Sequence, residues 1–173
     1  MEKLYKILSD TQASLFVLFQ KTWVYHWHIT GPDFYQVHTL FGEQYTALFE
    51  EIDRISEHIR FLGAKPISSM TRVAEVSRVS EAKSGLSEMQ MIQDLLDDHK
   101  KVVEMFSEAA EVAEELVARM KRLIDANGEI NKFEKDLFKY AVEGKLSGSA
   151  LDYRLVVAKA LACCTEGPGF DPE

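Results

Sequence analysis

The chain has 173 residues, 46% hydrophobic and 28% charged, with 4 prolines and 9 glycines; this excludes a disordered chain and favours one helical domain over a many-turned β fold. A net charge of −8 and a pI near 5.2 make nucleic acid a poor default partner, and leave cation binding and plain solvation equally open. No charged-then-apolar leader and no run of 18 apolar residues occurs, and the adjacent Cys163 and Cys164 make no disulfide framework, so the expected setting is reducing and cytoplasmic, with no membrane span.

In chain order, helical spacing predicts a first helix from about Lys3 to about His26, with Leu4, Ile7, Leu8, Leu15, Leu18, Phe19 and Trp23 on one buried face. Thr30-Gly31-Pro32 ends it. A second helix is expected from about Asp33 to about Leu62, with the stripe Phe34, Val37, Phe41, Tyr45, Leu48, Ile52, Ile55, Ile59 and Leu62. Gly63 caps it, with Pro66 just beyond. About 30 residues make a rod of roughly 45 Å, the length of a bundle helix.

A long connection follows, from Ala64 to Leu86, with a short helix around Thr71 to Val76. Ser87 and Gln90 have the spacing of a capping box. They open a third helix that carries Met89, Ile92, Leu95, Leu96, Val102, Val103, Phe106, Ala110, Ala113, Leu116 and Met120. The fourth bundle helix falls within 130–164, as either Ile130 to Val142 or Ser149 to Cys164, and 165–173 is an irregular tail. The expected fold is all-α: an antiparallel four-helix bundle spanning 1–164, with a short helix in the connection between the second and third helices. That connection is long enough to cross the bundle, as ferritin-like folds require.

The residues that could carry chemistry are His26, His28, His38, Asp53 and Glu57. Imidazole and carboxylate together suit iron. Asp53 and Glu57, four apart, share a helix face. His38 and Asp53, 15 residues apart on one helix, point within about 60° of each other but lie about 22 Å apart along the axis. They cannot hold one metal within one chain. If two copies of the helix packed antiparallel, crossing near residues 46 and 47, His38 of one copy would face Asp53 and Glu57 of the other. Such a contact makes two identical sites. No Glu-x-x-His pair of the intrachain di-iron type is present. From these residues alone, a metal site and an ordinary solvated face stand at even odds.

The stretch from His26 to Phe34, then Val37-His38, Asp53-x-x-x-Glu57, Leu62-Gly63 with Pro66, and the region from Met91 to Lys100 resemble the Dps family of miniature ferritins over about residues 3 to 110. The resemblance implies hollow shells, usually dodecamers built from two-fold dimers. These oxidise Fe(II), typically with hydrogen peroxide and otherwise with O2, and store ferric iron. His26 and His38 match the ferroxidase ligands of one subunit, and Asp53 and Glu57 those of its two-fold mate, with one or two irons per site. Trp27 matches an aromatic beside that site, a position suited to intercepting radicals.

The chain also departs from the family. The acidic ligand usual four residues after the second histidine is here Gly42, and the neighbouring Glu43 is rotated by about 100°. His28 replaces an asparagine common in relatives, as a further nitrogen donor or a mere occupant of the turn. The stretch Asp125 to Glu134 has part of an EF-hand pattern but lacks its first ligand, so a helix-ending turn is the better reading.

The resemblance implies a ferroxidase and iron store that protects against oxidative damage, weakened by Gly42. The alternatives are a DNA-compacting protein, disfavoured by an acidic C-terminal tail and by only Lys3 and Lys6 at the N-terminus, and a structural shell whose metal site has decayed.

Overall fold

A computed structural model describes residues 1–125 of the chain. Its elements are α1 (Glu2–His28), α2 (Phe34–Phe61), the short α3 (Met70–Val76) and α4 (Glu88–Asp125), and no strand occurs among the described residues. The expected fourth bundle helix, the calcium-like turn beyond Asp125, both cysteines and the tail lie outside the described residues.

Helix α1 packs against both α2 and α4, with α3 also against it. Pairings along its length set the directions. Gln12 donates to Ser56 at 2.9 Å and the Tyr5 hydroxyl donates to the Leu62 carbonyl. On the other side Lys21 reaches Asp98 at 2.5 Å, while Arg78 joins both Asp10 and Glu108. Both neighbours therefore run antiparallel to α1 and parallel to each other. Only a connection that crosses the bundle permits this, and residues 62–87 provide it.

Helix ends follow local chemistry. Gly63 has φ 82°, in the left-handed region. There the Ala64 N–H reaches the Ile59 carbonyl at 3.1 Å and the Gly63 N–H reaches Arg60 at 3.0 Å, the paired bonds of a glycine-terminated helix. At the start of α4 the Ser87 N–H donates to Gln90 Oε1 at 2.9 Å and the Gln90 N–H to Ser87 Oγ at 3.4 Å, a reciprocal cap.

The core holds Leu4, Leu15, Leu18, Phe41, Leu48, Ile55, Ile59 and Leu95, each at most 2% exposed. Such burial contributes about 1.5–3 kcal/mol per side chain. Three residues of the expected apolar stripes are corrected. Trp23 is 39% exposed, Phe34 45% and Met89 54%; they stand at the edges of their stripes, where helical period alone does not separate a half-covered face from a buried one.

Two buried polar features were not read from the sequence. Lys21 is fully buried between Asp94 and Asp98, each at 2.5 Å. Around it, the Tyr25 hydroxyl donates to Asp94 at 2.7 Å and accepts from the Lys83 N–H at 3.1 Å, and Lys83 Nζ also pairs with Asp94. Burial pushes the Tyr25 hydroxyl up to about 12.

His99, 4% exposed on α4, is the second. Burial holds its imidazole down to about 4, against the opposing pull of Asp98. An unfolded histidine titrates near 6.5, so below about pH 6.5 the unfolded chain binds a proton that the folded chain refuses. Stability is then lost as pH falls from about 6.5 through about 4, by about 1.4 kcal/mol per unit from this one group. Urea midpoints should fall between about pH 7 and about pH 5, and His99→Gln should flatten that fall. A variant with the wild-type slope would assign it elsewhere.

Candidate metal centre

The last turn of α1 carries His26, Trp27 and His28, and the first turns of α2 carry Phe34 and His38. The link between them is residues 29–33. The Ile29 N–H caps α1 on Tyr25 at 2.9 Å, and Gly31 turns the chain with φ 146°. Glu88, at the start of α4, stands against this turn: a Cβ on Gly31 would lie 2.3 Å from its Oε2. The Asp33 N–H donates to the Glu88 carboxylate, while burial and the Asp33 charge push that carboxyl up.

So held, the two histidines lock each other. His26 Nδ1 lies 2.8 Å from the His38 carbonyl oxygen, and His38 Nδ1 lies 3.0 Å from the His26 carbonyl oxygen. A carbonyl can only accept, so each Nδ1 carries a proton, and Nε2 is the nitrogen left to each ring for a metal. This is the arrangement that prepares an imidazole to bind a metal. The rings stack with centroids 3.7 Å apart and planes 20° apart. Phe34 stacks on the far side of His38 at 5.0 Å, and Tyr45 meets His26 edge-on at 5.2 Å.

Stacking restricts what the pair can hold. A metal binds in the plane of an imidazole, about 2.0–2.1 Å from its nitrogen. An ion placed so for one ring lies well out of the plane of the other, so this geometry suits one metal position per ring, side by side, and not a chelate.

Both rings open into a cleft of about 560 Å³, also lined by Thr39, Gly42, Glu43, Thr46, Ala47 and Glu50. A Cβ on Gly42 would lie 3.5 Å from His26 Cε1 and 3.7 Å from its Nδ1, an ordinary contact. Position 42 thus adjoins His26 with room for a larger side chain. Glu43 reaches the cleft despite its rotation. Glu50 was missed by sequence reasoning; its step of seven from Glu43, two helical turns on the same face, is the signal that marks it.

Asp53 and Glu57 are exposed on the same side of α2 but about four and five turns beyond His38. Among the described residues, no three histidine, cysteine, aspartate or glutamate side chains converge to hold a metal. His28 is exposed at the end of α1 and outside the stacked pair. Trp27, 56% exposed, sits 4.8 Å from Trp23, which in turn lies 6.0 Å from Tyr45. An aromatic strip thus runs beside the cleft, open to solvent in the single chain. No described helix is long and apolar enough to cross a membrane.

The pattern common to ferritin-like domains matches residues 5–139. The chain is 31% identical over 109 residues to DNA protection during starvation protein 2 of Bacillus anthracis, covering 63% of this chain and 75% of that protein. It is also 31% identical over 113 residues to the DNA protection during starvation protein of Helicobacter pylori strain J99, covering 65% and 78%. Among solved structures, the fold is similar to the DPS protein of Vibrio cholerae O1, described as a member of a broad superfamily of ferritin-like diiron-carboxylate proteins. The TM-score is 0.73 at 22% identity, over 95% of this chain and 90% of that one.

Proposed function

The chain belongs to the Dps family of ferritin-like proteins, and on that premise we propose that it oxidises Fe(II) with hydrogen peroxide at sites shared between two-fold-related copies. The ferric product is stored inside a dodecameric shell in the cytoplasm. The observation that carries the reading is the mutual locking of His26 and His38, which takes up both Nδ1 atoms and leaves Nε2 as the nitrogen for a metal on two rings that line one cleft. Asp53 and Glu57 lie too far along α2 to join them within the chain, by about 22 Å for Asp53, so a second copy must bring them.

The surroundings support such a copy. Trp23, Trp27 and Phe49 are 39%, 56% and 64% exposed beside the cleft, and contiguous exposed aromatic surface marks an interaction site. In the shared site the imidazoles of one copy and the carboxylates of the other hold Fe(II) as substrate. Two Fe(II) ions give one electron each, the peroxide O–O bond breaks, and two protons complete two waters. A paired two-electron reduction releases no hydroxyl radical. One metal position beside each ring favours two irons per site over one.

Adding Fe(II) and peroxide to the purified protein should produce ferric absorbance and consume peroxide faster than buffer alone. A rate equal to buffer would instead support a structural shell with a decayed site. DNA compaction has less support, because the net charge of −8 opposes a phosphate backbone; a low-salt gel shift should show no complex.

Gly42 offers a gain-of-function test. Because a side chain there fits against His26, Gly42→Asp should add a carboxylate beside the first imidazole and tighten divalent metal binding by about tenfold or more, the worth of one charge-assisted bond. Calorimetric titration with Zn(II) checks it, and unchanged affinity would place position 42 away from the metal.

A further inference from the structure

On the outer side of α2, Thr39, Glu43, Thr46, Glu50, Asp53 and Glu57 recur at alternating steps of four and three, and all six are exposed. That is the spacing of a helix-pairing seam. This one contains no apolar residue and no base. Among the described residues, none of its four carboxylates meets a lysine or arginine. Its two central acids, Glu43 and Glu50, line the same cleft as His26 and His38, whose Nδ1 atoms are taken up by each other's carbonyls. Flanking it are the exposed Trp23, Trp27 and Phe49.

The face is therefore divided against itself. Its aromatic flank gains from being covered. Its seam, laid antiparallel against its own copy with the crossing near residues 46 and 47, sets Glu43 and Glu50 opposite the same two acids of the second copy, while Asp53 and Glu57 fall beside the partner's His38. Facing acids across two packed helices, whose axes lie about 8–10 Å apart, are within a Debye length of about 10 Å at moderate salt, so their repulsion is not screened away. The imidazoles supply the other half of the observation, because they point to a cation and not to a partner protein's lysines.

We infer that the two-fold pairing of α2 with a second copy of this chain is cation-linked: divalent metal held at His26 and His38 neutralises the facing seam and closes the pair. This rests on the shared-site reading above and adds its regulation. A ligand that binds only the paired state strengthens pairing by 1 + [L]/Kd at each site. With two symmetric sites and metal at ten times its Kd, pairing tightens about a hundredfold. By the same linkage, pairing raises the affinity of each site for metal.

The test is the native mass of the full chain by sedimentation over a dilution series at low salt, in EDTA and in Zn(II), a redox-inert ion that accepts imidazole and carboxylate. The concentration at which the two-fold pair dissociates should fall about a hundredfold with Zn(II), and His38→Ala should abolish that shift. The variant Glu43→Gln with Glu50→Gln, which removes charge from the seam but not the proposed ligands, should pair in EDTA about as tightly as the wild type does in Zn(II). Equal pairing of the wild type in EDTA and Zn(II) overturns the linkage, and coexpression of the two half-site variants, His38→Ala and Asp53→Ala, then judges the shared site separately. A Zn(II) effect that survives His38→Ala also overturns the linkage, as does a double variant that pairs no better than wild type in EDTA. A chain that stays monomeric throughout overturns the shared site itself.

Discussion

Coexpressing subunits that carry His38→Ala with an equal amount of subunits that carry Asp53→Ala is expected to restore about a quarter of the wild-type rate of Fe(II) oxidation, although each variant alone is no faster than buffer. The arithmetic follows from sharing. In a mixed pair one site combines both lesions and is dead. The other combines an intact His38 with an intact Asp53. Half of randomly formed pairs are mixed, and each has one working site of its two. A site contained in one chain gives no recovery at any ratio, because every chain carries a lesion. The double variant in a single chain, His38→Ala with Asp53→Ala, should oxidise no iron while keeping the native particle mass at concentrations well above the point at which the metal-free pair dissociates, which separates loss of chemistry from loss of assembly.

Replacing Lys21 should be the most damaging single change to the fold. Lys21 is wholly buried, and Asp94 and Asp98 both lie at 2.5 Å. Lys21→Ala leaves Asp98, 2% exposed, with Lys101 as its only other cation among the described residues. Removing one partner of a buried ion pair costs about 3–5 kcal/mol, mostly as the penalty of a stranded charge. Chemical denaturation should show that loss, and Lys21→Met with Asp98→Leu should recover much of it, since no buried charge is then stranded: Asp94 keeps Lys83, and Lys101 is half-exposed.

The same cluster has an acid limit. Burial alone would raise the Asp94 carboxyl, but hydrogen bonds from Lys21, Lys83 and Tyr25 outweigh it and hold the group down to about 2. Its contribution is thus present above the unfolded value near 3.9 and is lost as pH falls through about 2. The acid loss from His99 comes first, at higher pH.

The long helices were legible because their apolar residues repeat at the helical period, and their ends because Gly63, Ser87 and Gln90 leave local signatures. Trp23 and Phe34 were misread for an instructive reason. A large aromatic on a stripe looks like core, yet both lie on the α1–α2 surface around the cleft, the face that a second copy would cover under the proposed pairing. Lys21 was invisible because a lone lysine reads as surface, and its acids lie more than 70 residues away in the chain. At the candidate site the residue types were legible and the distance between the two half-sites followed from helical rise. The mutual bonds of His26 and His38 were not, since they depend on how a five-residue link folds and on Glu88 pressing against it.

The connection between α2 and α4 is pinned to one helix at three heights. Gln12 accepts from the Ile67 N–H at 2.8 Å, Ser14 from Arg78 at 2.9 Å and Tyr25 from Lys83 at 3.1 Å. Three backbone amides of a stretch that is mostly irregular are thus satisfied by side chains of α1, much as a ladder would satisfy them. This stretch is a splint and not a strap. It cannot swing aside as a flap, and a peptide tag spliced between residues 67 and 83 would pry α1 loose, whereas Gly85, with open space around its Cα, would carry an insertion at little cost.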